Sequence, residues 1–273
     1  MVQGVLIILL LHACSLEAES QETKVLVLTV DGAIHPACAD YIMSGLERAA
    51  EEGATCVVIR LNTPGGLLKP TRVIVTELLE SPVPVIVYVS PQGAQSAWAG
   101  VFITLAAHIA AMAPGTNIGA AHPVSLIGTQ DSVMMQKATN DAAAFIRSIS
   151  EKRRRNVQWA EDAVRKSISI TEHEALDQQV IDHIAESLDE LLEQVEGREV
   201  IIEGNKTRLA TANAQIEEIH MTLAQRLLSI LSDPNVAYIL LMFGIYGIFF
   251  ELYSPGAIFP GVVGGICLIL AFY

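Results

Sequence analysis

Cysteine is scarce in this chain of 273 residues, and acidic residues outnumber basic ones. The four cysteines show neither a CxxC pair nor the Cys/His spacing of a zinc site, so we expect no metal, no cofactor and no disulfide framework. The 17 lysine and arginine residues face 30 aspartate and glutamate residues, which gives a net charge of −13. A surface of this sign repels phosphate backbones, and the largest basic cluster is the short run Lys152–Arg155. We therefore expect no nucleic-acid partner.

Apolar residues are abundant: they make up 51% of the chain, and the mean hydropathy is +0.42. This composition predicts bilayer-spanning segments. Between Val236 and Tyr253 the only charge is Glu251, and residues 258–273 carry none, so we predict a transmembrane region over residues 235–273. The second segment has about sixteen residues, whereas a span needs about twenty. We expect either a re-entrant segment or, as the favoured interpretation, a chain that continues beyond Tyr273.

The N-terminus carries an apolar run, Val5–Leu11, of the length found in export signals. Residues 1–20 are therefore predicted to be a signal peptide or an N-terminal anchor, which would place the following domain outside the cytoplasm. The first four residues contain no lysine or arginine, which weakens this prediction. The segment that ends at Cys14 resembles a lipoprotein cleavage box, so lipidation of that cysteine stays an open alternative.

Buried-strand and helix patterns alternate through the first half of the chain. Lys24–Val30 is apolar throughout, as expected for a strand that is covered on both faces. The predicted strands are Lys24–Val30, Thr55–Leu61, Val83–Val89 and His108–Ala113, and the predicted helices are residues 36–52, Pro70–Leu79 and Ala94–Ala107. This order predicts an α/β domain with a parallel sheet covered by helices.

The second half is predicted to be more helical. Residues 114–135 are expected to form a loop with short strand pieces at most. Helices are predicted at Lys137–Arg153, Ala160–Arg165 and Asp189–Val195, and a further helix is predicted to start at a capping box formed by Thr171 and Glu174. A hairpin is predicted around Gly204-Asn205. We expect the α/β domain to span residues 24–198 and a β linker to span residues 199–234.

Two glycine-containing stretches follow successive predicted strands. Residues 63–67 contain Gly65 and Gly66, whose amides could form an oxyanion hole, although a tight turn would use the same residues. Residues 93–100 follow the next strand and are mostly small, so that a helix could start there close to the sheet edge. Because the stretches are one helix and one strand apart, we expect them to lie side by side.

Four motifs carry a family resemblance: residues 61–66, 93–100, 112–120 and 232–238. In this order they resemble the NfeD family of membrane-bound serine peptidases, from about residue 24 to the last residue. The resemblance implies a fold similar to that of the Clp protease proteolytic subunit and of crotonase. It also implies a Ser-Lys dyad, an extracytoplasmic peptidase domain, a hydrophobic C-terminal region and a stomatin-like membrane partner.

Under this resemblance, Gly65 and Gly66 correspond to the oxyanion hole and Lys137 to the general base. The nucleophilic serine does not carry over, because its position is occupied by Trp98. Asn62 likewise stands where an aspartate is more often seen.

The indole of Trp98 has no nucleophilic oxygen and only one hydrogen-bond donor. Ser96 is a possible substitute nucleophile, but in a regular helix it would point about 200° away from residue 98. The favoured interpretation is a catalytically inactive or very weak domain; Ser96, another serine such as Ser90 and a sequence error stay open. Lys137 could equally be a solvated helix residue. The spacing of His35, His108 and His122 supports no triad.

Two functional hypotheses follow. The first is a membrane-bound serine peptidase that cleaves hydrophobic segments of membrane proteins, and the second is an inactive scaffold that binds a stomatin-like membrane partner. Both involve the lipid bilayer, and we expect a homo-oligomer, most simply a dimer. An enoyl-CoA-type activity is a weaker third possibility, since acyl-CoA chemistry has no reason to occur on an exported, tethered chain.

Overall fold

The computed structural model describes residues 23–122, 132–253 and 258–272. The predicted export segment, with Cys14, lies outside these residues, as does most of the predicted loop that follows residue 122. The described elements are numbered in chain order below.

The centre of the molecule is a six-stranded sheet in which all neighbouring strands are parallel. Its order is β11-β1-β2-β3-β5-β8. The strands are β1 (Lys24–Asp31), β2 (Cys56–Asn62), β3 (Val85–Val89), β5 (Ile109–Met112), β8 (His183–Ile184) and β11 (Gln215–Ile219). The apolar runs of β1 to β3 are almost wholly buried, which explains why they lie at the middle of the sheet. The predicted parallel α/β fold with covering helices is confirmed.

Ten helices are described. They are α1 (Pro36–Glu51), α2 (Leu68–Glu80), α3 (Ala99–Ala106), α4 (Ser132–Arg153), α5 (Val157–Arg165), α6 (Glu172–Asp177), α7 (Leu188–Gln194), α8 (Leu223–Leu231), α9 (Pro234–Tyr253) and α10 (Ile258–Ala271). Helices α1 to α6 contribute to a large core on one face of the sheet, and α7 packs with a small hairpin on the other. That hairpin is β9 (Glu199–Ile202) with β10 (Asn205–Arg208), as predicted around Gly204.

A second, three-stranded sheet corrects one prediction. It consists of β4 (Gln95–Ala97), β6 (Asn117–Gly119) and β7 (Ser169–Thr171). The helix predicted from Ala94 begins only at Ala99. Residues 95–97 are extended because their backbone bonds to the end of β2 and to β6, and these long-range bonds outweigh the helical preference of the local sequence.

The C-terminal part differs from its prediction in detail. Within residues 199–234, β11 joins the edge of the main sheet beside β1, and residues 223–231 form helix α8. Among the described residues, α9 alone is long and apolar enough to cross a membrane, with 20 residues, whereas α10 has 14. The two helices pack closely through small residues: a Cβ added to Gly247 would lie 2.9 Å from the Cα of Gly264.

Candidate functional site

The candidate site begins in the turn after β2. The Thr63 hydroxyl donates to the carbonyl of Gly65 at 2.7 Å and accepts from the amide of Gly65 at 3.1 Å. Gly65 has φ +138°, a conformation that residues with a side chain rarely adopt. Glycine is therefore required here by the backbone of the turn itself.

Gly66 is required for a different reason, which is close packing. A Cβ at this position would lie 2.3 Å from the carbonyl oxygen of Ile34. The two segments pair, because Ile34 donates its amide to Gly65 at 2.8 Å and Leu67 donates its amide to Ile34 at 2.8 Å. This pairing leaves the Gly66 amide without an acceptor among the described residues. It is a donor available to an incoming carbonyl oxygen.

Trp98 stands at the elbow between β4 and α3. Its φ of 38° and ψ of −97° lie outside the common regions for a bulky residue, and the fold holds it there through a bond from its amide to the Gly119 carbonyl at 3.3 Å. The helix N-terminus directly follows, so the amides of Ala99 and Gly100 have no acceptor within α3. A side chain at position 98 is thus presented at a strained turn that leads into a helix N-terminus.

The Trp98 side chain fills this elbow with apolar surface. A Cβ built on Gly65 would lie 3.3 Å from the Cβ of Trp98, so the two glycine-containing stretches are adjacent, as predicted. The indole packs against Phe102, with 6.0 Å between ring centroids. Its Nε1 atom is buried and has no hydrogen-bond partner within the described part of the chain.

Ser96 has a very different environment from Trp98. It is fully buried, and its hydroxyl lies 2.9 Å from that of Thr104. A Cβ on Gly100 would come within 2.6 Å of the Ser96 Oγ, so the helix backbone closes over it. The segment is not helical, which was the condition for Ser96 to act, but its hydroxyl is enclosed in the core.

Lys137 lies in the second turn of α4 and is exposed. Residues 137, 141 and 145 share one face of this helix. On that face Phe145 stacks on Phe102 at 5.6 Å, and Asp141 pairs with Arg72 at 2.6 Å. Since Phe102 also contacts Trp98, the row Trp98-Phe102-Phe145 links the elbow to the helix that carries Lys137.

Asn62 has a role that sequence reasoning missed. Its Nδ2 donates to Asp31 Oδ1 at 2.9 Å, and its Oδ1 accepts from the Gln95 amide at 3.1 Å. One side chain thus ties together the ends of β1 and β2 and the start of β4. Only an amide can donate and accept in this way, so the asparagine fits this site better than an ionised aspartate would.

An apolar groove opens beside Gly66 and was also missed. Its volume is about 460 Å³. It lies between the N-terminal parts of α1 and α2, and its lining residues are Pro36, Ala39, Asp40, Leu67, Leu68, Lys69, Pro70 and Val73. Leu67 and Leu68 are 44% and 40% exposed, which is unusual for leucine next to a core. The free Gly66 amide is therefore adjacent to an exposed apolar surface.

The histidines that the sequence singled out lie in separate structural contacts. His35 caps α1, accepting from the Cys38 amide at 3.4 Å, and burial lowers its pKa. His108 accepts from the Val85 amide at 3.1 Å, and burial together with nearby arginines lowers its pKa to about 3. His122 Nδ1 lies 2.9 Å from the Val164 carbonyl. The described contacts bring none of the three to Trp98.

Two profiles of known protein families match this chain. Residues 24–219 match the profile of the NfeD1b N-terminal domain, and residues 235–273 match that of the NfeD integral membrane domain. The chain belongs to the NfeD family. Its membrane association follows from the second match together with the apolar helix α9.

Two relatives are similar to this chain over most of its length. The membrane-bound protease PH1510 of Pyrococcus horikoshii is 35% identical over 251 residues, which cover 90% of this chain and 57% of the relative. The membrane protein NfeD1b of Bacillus subtilis is 28% identical over 266 residues, which cover 97% of this chain and 59% of the relative. The chain thus spans less than two thirds of the length of either.

Solved structures of the N-terminal domain of the Pyrococcus protease, described as a stomatin-specific protease, are also similar. A lysine-to-alanine variant in complex with a substrate peptide has a TM-score of 0.71 and 32% identity, covering 77% of this chain and 98% of that one. A serine-to-alanine variant has a TM-score of 0.69 and 33% identity, covering 74% and 99%. This NfeD chain therefore has a protease-like fold joined to a membrane domain.

Proposed function

We propose that this NfeD-family chain binds an apolar segment of a stomatin-like membrane protein in the groove beside Gly66 and does not hydrolyse it. The single observation that carries this proposal is the indole of Trp98 at the strained elbow where the family resemblance predicts a serine. The partner is inferred from the Pyrococcus relative, whose description names it as specific for a stomatin homologue.

The geometry beside Gly66 supports peptide binding. A carbonyl of an extended peptide that passes Gly66 can accept a hydrogen bond from the free Gly66 amide. The exposed side chains of Leu67, Leu68 and Val73 offer apolar contact to alternate side chains of such a peptide. A net charge of −13 favours an apolar or basic segment over an acidic one.

The chemistry of the elbow argues against hydrolysis. Acyl transfer requires a nucleophile next to the oxyanion donors, and an indole cannot attack a carbonyl. The hydroxyl of Ser96 is fully buried and paired with Thr104, so it would have to leave the core to reach a substrate. The Gly66 amide thus remains as an oxyanion donor, whereas the Gly65 amide is bonded to Thr63 and the group that would form the acyl bond is missing.

The experiment measures binding and cleavage separately, with the full chain in detergent micelles. A fluorescent peptide from the apolar C-terminal part of a stomatin-like protein is titrated by anisotropy, and the same mixture is analysed for fragments by mass spectrometry. We expect saturable binding without fragments.

Leu67→Asp should weaken binding by about tenfold or more, because it puts a charge into an apolar site. The control Ile201→Asp changes a leucine-sized exposed side chain on the remote hairpin and should leave binding unchanged. Equal affinity of the peptide for wild type and for Leu67→Asp would show that the groove is not the peptide-binding site.

A second candidate function, peptidase activity through Ser96, is favoured by the retained glycines and by the exposed Lys137. It requires the elbow to rearrange so that the Ser96 hydroxyl leaves Thr104. Fragments formed by the wild-type chain and lost in Ser96→Ala would establish this alternative and reject the non-hydrolytic proposal.

We further propose that residues 1–20 direct export and that the domain of residues 24–198 is extracytoplasmic and dimeric. The apolar run Val5–Leu11 supports the topology. Lys206→Cys offers a test, since this side chain is 75% exposed. Reaction with a membrane-impermeant maleimide on intact cells supports the proposed orientation, and reaction only after lysis contradicts it. Light scattering of the purified chain tests the dimer.

A further inference from the structure

Helix α8 lies between the two matched family domains, which end at residue 219 and begin at residue 235. Its side chains Leu223, Leu227 and Ile230 are 81%, 63% and 50% exposed. Since they are spaced by four and three residues, they form one stripe along the helix. None of the three contributes to the cores of the α/β domain.

Other contacts fix the orientation of this helix. A capping box between Thr222 and Gln225 defines its start. Ser229, about 120° round the helix from the centre of the stripe, lies 3.1 Å from Nε2 of His35 at the start of α1. The helix is thus held to the domain by one side while the apolar stripe faces away.

The membrane helix follows almost at once. Asp233 accepts from the amide of Asn235 at 2.7 Å and so caps α9, which begins at Pro234. The last residue of the stripe, Ile230, is therefore about one helical turn away from the start of α9. The apolar side chains of α9 are also exposed, for example Tyr238 at 69%. The exposed apolar surface of α8 is thus followed directly in the chain by the apolar surface of α9, the helix that is long enough to cross a membrane.

We propose that α8 is an in-plane membrane helix, whose stripe Leu223-Leu227-Ile230 inserts at the boundary between lipid headgroups and acyl chains. Arg226 is exposed and lies about 60° from Leu223, where its guanidinium can reach the phosphates while its methylenes cover apolar surface. Because His35 contacts α8 and its neighbour Pro36 lines the groove beside Gly66, this insertion holds the groove near the bilayer surface.

A lipid surface fits this stripe better than a second copy of the chain. A stable protein interface buries about 800 Å² on each partner, whereas three side chains on a helix about 14 Å long offer only a fraction of that area. A shallow helix at the headgroup boundary needs no larger surface, because the membrane domain already anchors the chain. The inference does not depend on whether the site hydrolyses or only binds.

The test locates a fluorophore relative to the bilayer in the full chain. Cys14 and Cys267 are replaced by alanine, and the remaining Cys38 and Cys56 are buried. Leu227→Cys is labelled with an environment-sensitive dye, and the protein is reconstituted into phosphatidylcholine and phosphatidylglycerol vesicles with bromine near the top of the acyl chains. The control is Lys206→Cys on the hairpin, which packs on the sheet face opposite to α1.

We expect the label at position 227 to be quenched at least about threefold more than the label at position 206, because only the former contacts acyl chains. A dye on Leu223→Cys should be quenched as strongly as the dye on Leu227→Cys. Agreement between the two positions shows that the quenching does not come from a local effect of one substitution. Equal quenching at 227 and 206 would overturn the proposal. So would weak quenching at 227 combined with efficient disulfide cross-linking between copies through unlabelled Leu227→Cys, since the stripe would then be a protein interface.

Discussion

Trp98 and Gly65 are in tight contact: a Cβ added to the glycine would lie 3.3 Å from the Cβ of Trp98, so one of the two would have to shift by a few tenths of an ångström. Both residues also have positive φ, +138° for Gly65 and 38° for Trp98. A backbone conformation that requires glycine and a strained one at Trp98 thus meet at one point, the end of β2 against the elbow before α3. Such strain persists only where surrounding contacts fix it, and it clusters at functional sites.

Gly65→Ala should destabilise the α/β domain by about 1–3 kcal/mol from backbone strain, with a further contribution from contact with Trp98. Gly32→Ala is the matched control, because Gly32 has φ +118° but nothing within 4 Å of an added Cβ. Denaturant unfolding of both variants, followed by tryptophan fluorescence in detergent, should show a larger loss for Gly65→Ala. Equal losses would mean that the contact with Trp98 contributes nothing.

His108 should make the domain less stable in mild acid. Its pKa is about 3 in the folded protein because of burial and nearby arginines, and near 6.5 when unfolded. Between these values the unfolded chain binds the proton and the folded chain does not. Its contribution therefore falls by about 1.4 kcal/mol for each unit that the pH is lowered below 6.5.

His108→Asn tests this prediction because an amide oxygen can still accept from the Val85 amide without titrating. The variant should be similar in stability to wild type at pH 7.5. It should lose less stability than wild type when the pH is lowered to about 4.5, by about 2–3 kcal/mol. Parallel pH profiles for the two proteins would contradict a buried neutral histidine.

The sheet could be predicted from the sequence because its central strands are continuous apolar runs that only a doubly covered parallel sheet accommodates. Thr171 and Glu174 likewise formed the capping box that their spacing predicts. The segment at residues 95–97 could not be predicted correctly. Its small residues suit helix and strand equally, and the choice is made by bonds to residues far away in the chain, namely Thr63 and Asn117.

The candidate site divides in the same way. The adjacency of Gly65 and Trp98 followed from the order of strands and helices, since neighbouring parallel strands bring their carboxyl ends to one edge. The role of Asn62 depends on partners 31 and 33 residues away, which no local pattern reveals. Helix α8 did carry a local signal, the Thr222-Gln225 capping box, but it lay in a segment predicted to be a β linker.

Asp182→Asn should destabilise the protein strongly because Asp182 pairs with a buried arginine. The side chain of Arg155 is only 4% exposed and lies 3.0 Å from Asp182, which also pairs with Arg198 at 2.6 Å. Burial acts to raise the pKa of Asp182, but these arginines and the Ala110 amide outweigh it and lower the pKa.

Removing this carboxylate leaves Arg155 without a counter-charge, so we expect a loss of about 3–5 kcal/mol in chemical unfolding. Asp162→Asn provides the comparison, because its partner Lys166 is 64% exposed and the pair contributes less than about 1 kcal/mol. Losses of similar size for the two variants would show that the burial of Arg155 does not increase the contribution of the Asp182–Arg155 pair to the free energy of unfolding.

Trp98→Ser should convert a binding domain into a weak peptidase if only the nucleophile is missing. A serine hydroxyl at this elbow would lie at the N-terminus of α3 and next to Gly65, and the free amide of the following Gly66 can stabilise an oxyanion. The hydroxyl would attack the peptide carbonyl and pass its proton to the amine of Lys137 acting as the general base, which would return a proton to the leaving amine. Adding Lys137→Ala should therefore remove the gained activity, by about a hundredfold or more.

Lys166→Ala in the Trp98→Ser background is the matched control, since Lys166 is also an exposed helix lysine on the same domain. It should leave the gained cleavage unchanged, while Lys137→Ala in otherwise wild-type protein should change neither stability nor peptide binding. Cleavage of the stomatin-derived peptide is measured by mass spectrometry. Folding is checked by circular dichroism, because removing the indole from its packing against Phe102 reduces the stability by about 3 kcal/mol. A folded Trp98→Ser protein that binds the peptide but leaves it intact would mean that this chain has lost more of the catalytic arrangement than one hydroxyl.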